Sequence, residues 1–247
     1  MDFPKQHIAM ADRLIPLHYL CGYRAASSGH DGISKSILKF KEGDTLHIAA
    51  WAEVALLALQ QAGLGKGDIL VRALGHQETA VLWRSDPKPM DALCRFIAEK
   101  SGCAYSPDII RKKWKTEKLR GMNRAQRERA MDGAYELAPV FGWGQQRVWI
   151  MDDVVTTGST VRAIAAALLK RYPAVELRTF CLARTDGHLG DLERGLVKGE
   201  HYGWDATAGN WMVMEDPLSY GGDWLPNTEN LYCPRFGDEG TWLVSNL

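Results

Sequence analysis

Strand-like and helix-like segments alternate between Ile69 and Ala183, and this predicts an α/β fold with a mostly parallel central sheet flanked by helices. Residues 69–71, 148–151 and 177–183 are short apolar runs of the kind that fill a sheet buried on both faces. Residues 47–62, 89–100 and 159–171 carry helical periodicity and stand before or between those runs. Beyond Arg184 the pattern stops, and residues 201–247 hold Trp204, Trp211, Trp224 and Trp242 among many glycines, with no long periodic run.

The chain has 247 residues, 46% hydrophobic and 24% charged, which suits one large α/β domain with extensions. Thirty basic residues balance thirty acidic ones, so net charge argues for neither a nucleic acid nor a membrane partner. No apolar run approaches the roughly 20 residues of a membrane span. The N-terminus lacks the basic-then-apolar order of a signal peptide. Five scattered cysteines, an odd number, predict reduced thiols in a cytoplasmic protein.

In order along the chain, residues 1–46 read as an irregular N-terminal extension or hood with apolar groups around residues 15–23. Within it, the segment ISKSILKFKEGD forms a short apolar helix or turn carrying Lys39 and Lys41. Residues 47–185 form the core. Its first helix, 47–62, stacks Ala50, Val54 and Leu57 on one side and closes at Gly63. The helix at 89–100 has Pro89 at its start and Gly102 after its end. Residues 134–140 read as a strand and 142–146 as a turn. The helix at 159–171 places Val161, Ile164, Ala165 and Leu168 at core spacing, and Pro173 stops it. Residues 186–247 form an aromatic-rich appendage.

The most informative string is VWIMDDVVTTGST, residues 148–160. A buried strand leads into Asp152 and Asp153, then into a hydroxyl-rich loop at a helix start. In open α/β sheets ligands sit beyond the carboxyl ends of the strands. Two acids there suit the vicinal hydroxyls of a sugar or a hydrated Mg²⁺. Backbone amides of Thr156, Thr157, Gly158, Ser159 and Thr160 suit a phosphate at the positive end of a helix. A helix cap needs one such residue, not six.

This string resembles the phosphoribosyl pyrophosphate (PRPP) signature of type I phosphoribosyltransferases. A wider likeness, over roughly residues 33–185, points to the ComF-like, competence-associated subgroup. It rests on ILKFKEG, on DILVRALGH at residues 68–76, and on the Arg-rich stretch from Ile109 that ends near Pro139. The resemblance implies the type I phosphoribosyltransferase fold and a PRPP–Mg²⁺ ligand. It also implies transfer of the phosphoribosyl group to a nitrogenous acceptor, as in nucleotide metabolism, with release of pyrophosphate. On it, Asp152 and Asp153 hold the ribose hydroxyls and, indirectly, Mg²⁺. Thr156, Thr157, Gly158, Ser159 and Thr160 hold the 5-phosphate, and Arg72, Ala73, Leu74 and Gly75 face the pyrophosphate. Many ComF-type proteins begin with a paired-cysteine zinc module; here that region has one cysteine, Cys21, with His18 three residues before it.

Residues 111–129 carry nine lysines and arginines against two glutamates. As a mobile lid, this segment closes Lys113, Lys115 and Arg120 over pyrophosphate; as a fixed patch it contacts single-stranded DNA; otherwise it is a solvated surface. Trp114 within it is also a candidate core anchor. Lys39 and Lys41 either flank the sugar-phosphate site or are surface lysines. The aromatic C-terminus reads as a hood over the acceptor or as a packing patch, a homodimer interface included. The competing reading of the whole chain is a non-catalytic accessory protein that senses PRPP or handles single-stranded DNA.

Overall fold

In the computed structural model the described residues are 6–10, 13–23, 32–81, 87–116, 123–138, 146–185, 201–205 and 210–214. They form a mixed α/β fold. The elements that build the central sheet and its helices are β1 (Gln6–Ala9), β2 (Leu14–Tyr23), α1 (Gly32–Glu42), α2 (Thr45–Gln61), β3 (Ile69–Arg72), α3 (Pro89–Ser101), β4 (Ala104–Tyr105), β7 (Arg147–Val155), α5 (Ser159–Arg171) and β8 (Glu176–Thr185). A small antiparallel pair, β5 (Ile110–Lys112) and β6 (Tyr135–Leu137), brackets α4 (Arg124–Met131). A second antiparallel pair joins β9 (His201–Asp205) to β10 (Asn210–Met214).

The central sheet runs β1-β2-β8-β7-β3-β4, parallel throughout except for β1. Strict alternation sorts its residues onto two faces. Val71, Val148 and Ile150 pack with Val161, Ile164 and Leu168 of α5. Leu70, Trp149 and Met151 pack on the other face with Phe40 of α1, Leu59 of α2 and Leu93 of α3. Burial on both faces is why these strands read as unbroken apolar runs.

Helix ends follow their local chemistry. Asp44 caps α2 by accepting the His47 amide at 3.0 Å. Pro89 opens α3, and Gly102, at φ 74°, closes it with its amide on the Ala98 carbonyl. The irregular reading of residues 1–46 is corrected: β1 and β2 extend the sheet, β2 pairing in parallel with β8, and α1 packs beneath it. Pro16, and the glycine and serine content nearby, hid a strand whose polar members, such as His18 against Trp149, are buried. The strand expected at 134–140 is shorter and pairs with β5 outside the central sheet. Among the described residues no helix is long and apolar enough to cross a membrane.

Connections on either side of β3 and β7 diverge. From β3 the chain crosses through α3 to β4 at one edge; from β7 it crosses through α5 to β8 in the opposite direction. The two helices therefore lie on opposite faces, and a crevice opens where the strands' carboxyl ends part.

At the opposite end of the same two strands, Asp68 accepts from Arg147 Nε at 3.0 Å, Trp149 Nε1 at 3.1 Å and the Gly65 amide at 3.0 Å. Asp68→Asn should cost about 2 kcal/mol, the scale of weakening charge-assisted hydrogen bonds in a half-buried ion pair. Denaturant titration checks this, with the midpoint falling and the slope unchanged.

Candidate functional site

The pairing of β7 changes at the acid pair. Its ladder to β3 ends at Arg72↔Met151, where the Ala73 amide donates to the Met151 carbonyl at 2.8 Å. Its ladder to β8 continues to Val155, with Asp153 missing from the register. Asp152 and Asp153 are thus not the end of the strand, as the sequence pattern suggested. They are the first residues of β7 with no β3 neighbour, which opens them to the crevice.

The two acids are held differently. Asp153 pairs with Lys41 Nζ from the end of α1 at 3.0 Å. Burial works against the Lys41 ammonium, but the charges of Asp153 and Asp152 hold its pKa above the ordinary lysine value. Asp152 accepts from the Asp153 amide at 2.9 Å. Its pKa is pushed up to about 7, first by burial and then by the neighbouring Asp153 charge, with Lys41 and Lys112 opposing. Lys39 has the other fate: it pairs with exposed Glu42 at 3.0 Å.

The hydroxyl loop follows directly. Thr156 Oγ1 lies 2.8 Å from Thr185 Oγ1, and Thr157 Oγ1 lies 2.6 Å from Ser159 Oγ. Gly158 serves as the cap of α5 with φ 73° and supplies no side chain to the amides of the first turn. A Cβ there would lie 3.3 Å from Ile8 Cδ1, so both conformation and space select glycine. Thr160 is half-buried in the first turn. On the β1 side of this loop lies a cavity of about 270 Å³, lined by His7, Leu17, Thr156, Thr157, Arg162 and Arg184 among others.

Across the crevice, residues 73–75 leave the end of β3. Arg72 is 3% exposed and turned into the protein. Its guanidinium holds Asp91 on one edge (2.7 and 2.8 Å) and Glu78 on the other (2.9 and 2.9 Å). Alternation sends Arg72 to the α3 face, so backbone is what this loop presents to the crevice. Ala73 and Leu74 are buried and Gly75 is exposed.

The basic segment is not one free lid. Its first part is β5 and its last part is α4, capped by an Asn123–Gln126 box. Lys113 and Lys115 are exposed, Trp114 is 46% exposed rather than a core anchor, and Arg120 lies outside the described residues. The Trp-rich segment also lies largely outside them. The lysine that the sequence reading missed is Lys112. It is buried, donates to the Gly75 carbonyl at 2.9 Å and to Thr116 Oγ1 at 3.1 Å, and lies over the Tyr135 ring. Burial lowers its pKa to about 8. The period of two in β5 held the signal, since Lys112 shares a face with buried Ile110.

The described residues hold no group of three or more His, Cys, Asp or Glu that could bind a metal by themselves. His18 is buried against Trp149, and Cys21 donates to the Leu182 carbonyl.

Comparison with known proteins fits this picture in part. No family model matches the chain. The DNA utilization protein YhgH of Salmonella typhi is 38% identical over 104 residues, 42% of this chain and 44% of that one. YhgH of Escherichia coli (strain K12) is 34% identical over a stretch of the same length and shares. The chain thus spans less than half the length of the curated relatives it matches. A solved structure, adenine phosphoribosyltransferase from Leishmania tarentolae, is 11% identical with TM-score 0.36, over 68% of this chain and 84% of that one. The fold class rests instead on the sheet order and parallel register described above.

The raised pKa of Asp152 has a measurable sign. A carboxyl whose folded value lies near 7, above its ordinary 3.8, takes up a proton on folding, so stability is lost as pH rises between those values. Asp152→Asn should melt a few °C above the parent protein at about pH 8. The gap should close as pH falls toward about 4, as calorimetric melts across pH would record.

Proposed function

We propose that the chain binds PRPP with Mg²⁺ at the β3/β7 crevice, on a type I phosphoribosyltransferase-like fold, and transfers its phosphoribosyl group to a nitrogenous acceptor. One observation carries the reading: the acid pair with its hydroxyl loop and the loop at residues 73–75 meet at the point where the crossovers diverge. The first-turn amides of α5 and the hydroxyls of Thr156, Thr157, Ser159 and Thr160 hold the 5-phosphate. Asp152 and Asp153 accept the ribose hydroxyls. Amides of residues 73–75 face the pyrophosphate.

The donor set fits magnesium. It is oxygen-only, and Asp153 already holds a cation, the Lys41 ammonium, at 3.0 Å. Two carboxylates leave the remaining positions to ligand oxygens and water, as this ion prefers. Asp152 and Asp153 would hold it, and it would supply positive charge to offset the negative charge developing on the leaving pyrophosphate. The protein aligns the anomeric carbon with the acceptor and stabilises charge on the leaving group. The C1–O bond breaks with its electron pair on pyrophosphate, and the acceptor nitrogen bonds to the oxocarbenium-like carbon. No protein acid or base is needed for that departure.

The double variant Asp152→Asn/Asp153→Asn should abolish Mg²⁺-dependent PRPP binding in calorimetry, and unchanged binding would refute the site. The wild-type protein should release pyrophosphate from PRPP with one member of a panel of bases and amines, and not with buffer alone.

A second reading, a non-catalytic accessory protein acting on single-stranded DNA, is favoured by the name of the YhgH relatives and by exposed Lys113 and Lys115. It requires an affinity for single-stranded DNA that falls steeply with salt. Salt-insensitive or undetectable binding in fluorescence anisotropy would count against it.

A further inference from the structure

The loop after β3 already holds an anion, and the anion is its own. Glu78 Oε1 accepts Arg72 Nη2 at 2.9 Å, while Oε2 accepts Arg72 Nη1 at 2.9 Å and the Gly75 amide at 2.6 Å. A guanidinium edge plus a backbone amide just past a buried strand is a donor set for a phosphate group.

The rest of the loop is built to keep donors facing outward. Its carbonyls are held from the protein side. Arg72 Nη1 donates to Ala73, Tyr135 Oη to Leu74, Lys112 Nζ to Gly75, the Thr116 amide to His76 and the Lys112 amide to Thr79. Among the described residues the amides of Leu74, His76 and Gln77 donate to nothing. Asp91 fixes the far edge of Arg72, so the guanidinium stays in place whatever occupies its near edge. Glu78, by contrast, sits on a turn whose amide donates to the Gly75 carbonyl at 3.0 Å, and its side chain is 19% exposed.

We propose that Glu78 is the resting occupant of the diphosphate subsite, a carboxylate that a diphosphate-bearing ligand displaces from Gly75 and from the near edge of Arg72. This rests on the pyrophosphate half of the reading above. Glu78 then acts as a selectivity residue. A diphosphate carries several charges and enough oxygens to engage the released donors together with the amides of Leu74, His76 and Gln77. A sugar monophosphate seated on the α5 loop has nothing to put there and leaves Glu78 in place.

The test is calorimetry of inorganic pyrophosphate, PRPP and ribose 5-phosphate, each with Mg²⁺, on the wild-type chain and on Glu78→Gln. Loss of one charge-assisted competitor should tighten pyrophosphate and PRPP about tenfold or more and leave ribose 5-phosphate unchanged. Equal or weaker pyrophosphate binding by a variant that melts cooperatively overturns the proposal, as does pyrophosphate binding to neither protein. Should Glu78→Gln not fold, the Gly75 amide resonance of the wild-type protein decides. A shift with pyrophosphate but not with ribose 5-phosphate supports displacement, and no shift at saturating pyrophosphate overturns it. Because inorganic pyrophosphate has no ribose, this outcome is separate from the acid-pair test: PRPP binding that depends on Asp152 and Asp153 survives a failure here.

Discussion

The register of β7 against β3 is the constraint on which the crevice depends. One strand brings Asp152, Asp153 and the hydroxyl loop; the other brings residues 73–75. A shift of one residue would turn Trp149 and Met151 away from α2 and α3 and move the acids relative to the loop. Asp68 holds that register by gripping Arg147 and Trp149 across the strand pair, and the ladder runs without interruption to Arg72↔Met151. The stabilising contact and the candidate site are therefore at opposite ends of the same two strands.

Where the ladder stops, electrostatics takes over from packing. The acids stand at the edge of a core that excludes water, so the charge of Asp152 is disfavoured and its pKa rises toward 7. Lysines from different layers answer them. Lys41 comes from the end of α1, and Lys112 comes from β5 on the α5 side, where it ties down the Gly75 carbonyl. Both faces of the sheet thus contribute a charge to one crevice.

Much of this was legible in residues 148–171. The apolar run, the acids, the glycine at position 158 and the helix period each act locally, through burial, turn conformation and core spacing, and Ser159–Arg171 is the helix the periodicity predicts. What long-range partners decide leaves no local trace. Arg72 follows a strand, and its two anions, Asp91 on one edge and Glu78 on the other, lie nineteen and six residues away. Lys39 and Lys41 are indistinguishable as text, yet Lys39 meets Glu42 of its own helix and Lys41 meets Asp153 of β7.

By itself, then, the sequence determined a parallel α/β core and a strand-to-helix turn rich in acids and hydroxyls, because apolar period and turn chemistry are local properties. Only the tertiary structure decided that β2 belongs to the sheet, that Lys41 meets Asp153 and Lys112 the Gly75 carbonyl, and that the Glu78 carboxylate fills the loop after β3. Those facts depend on which strands become neighbours and on which face of the sheet each side chain emerges. Pairing across 79 residues, as between Asp68 and Arg147, leaves no periodic trace in the chain.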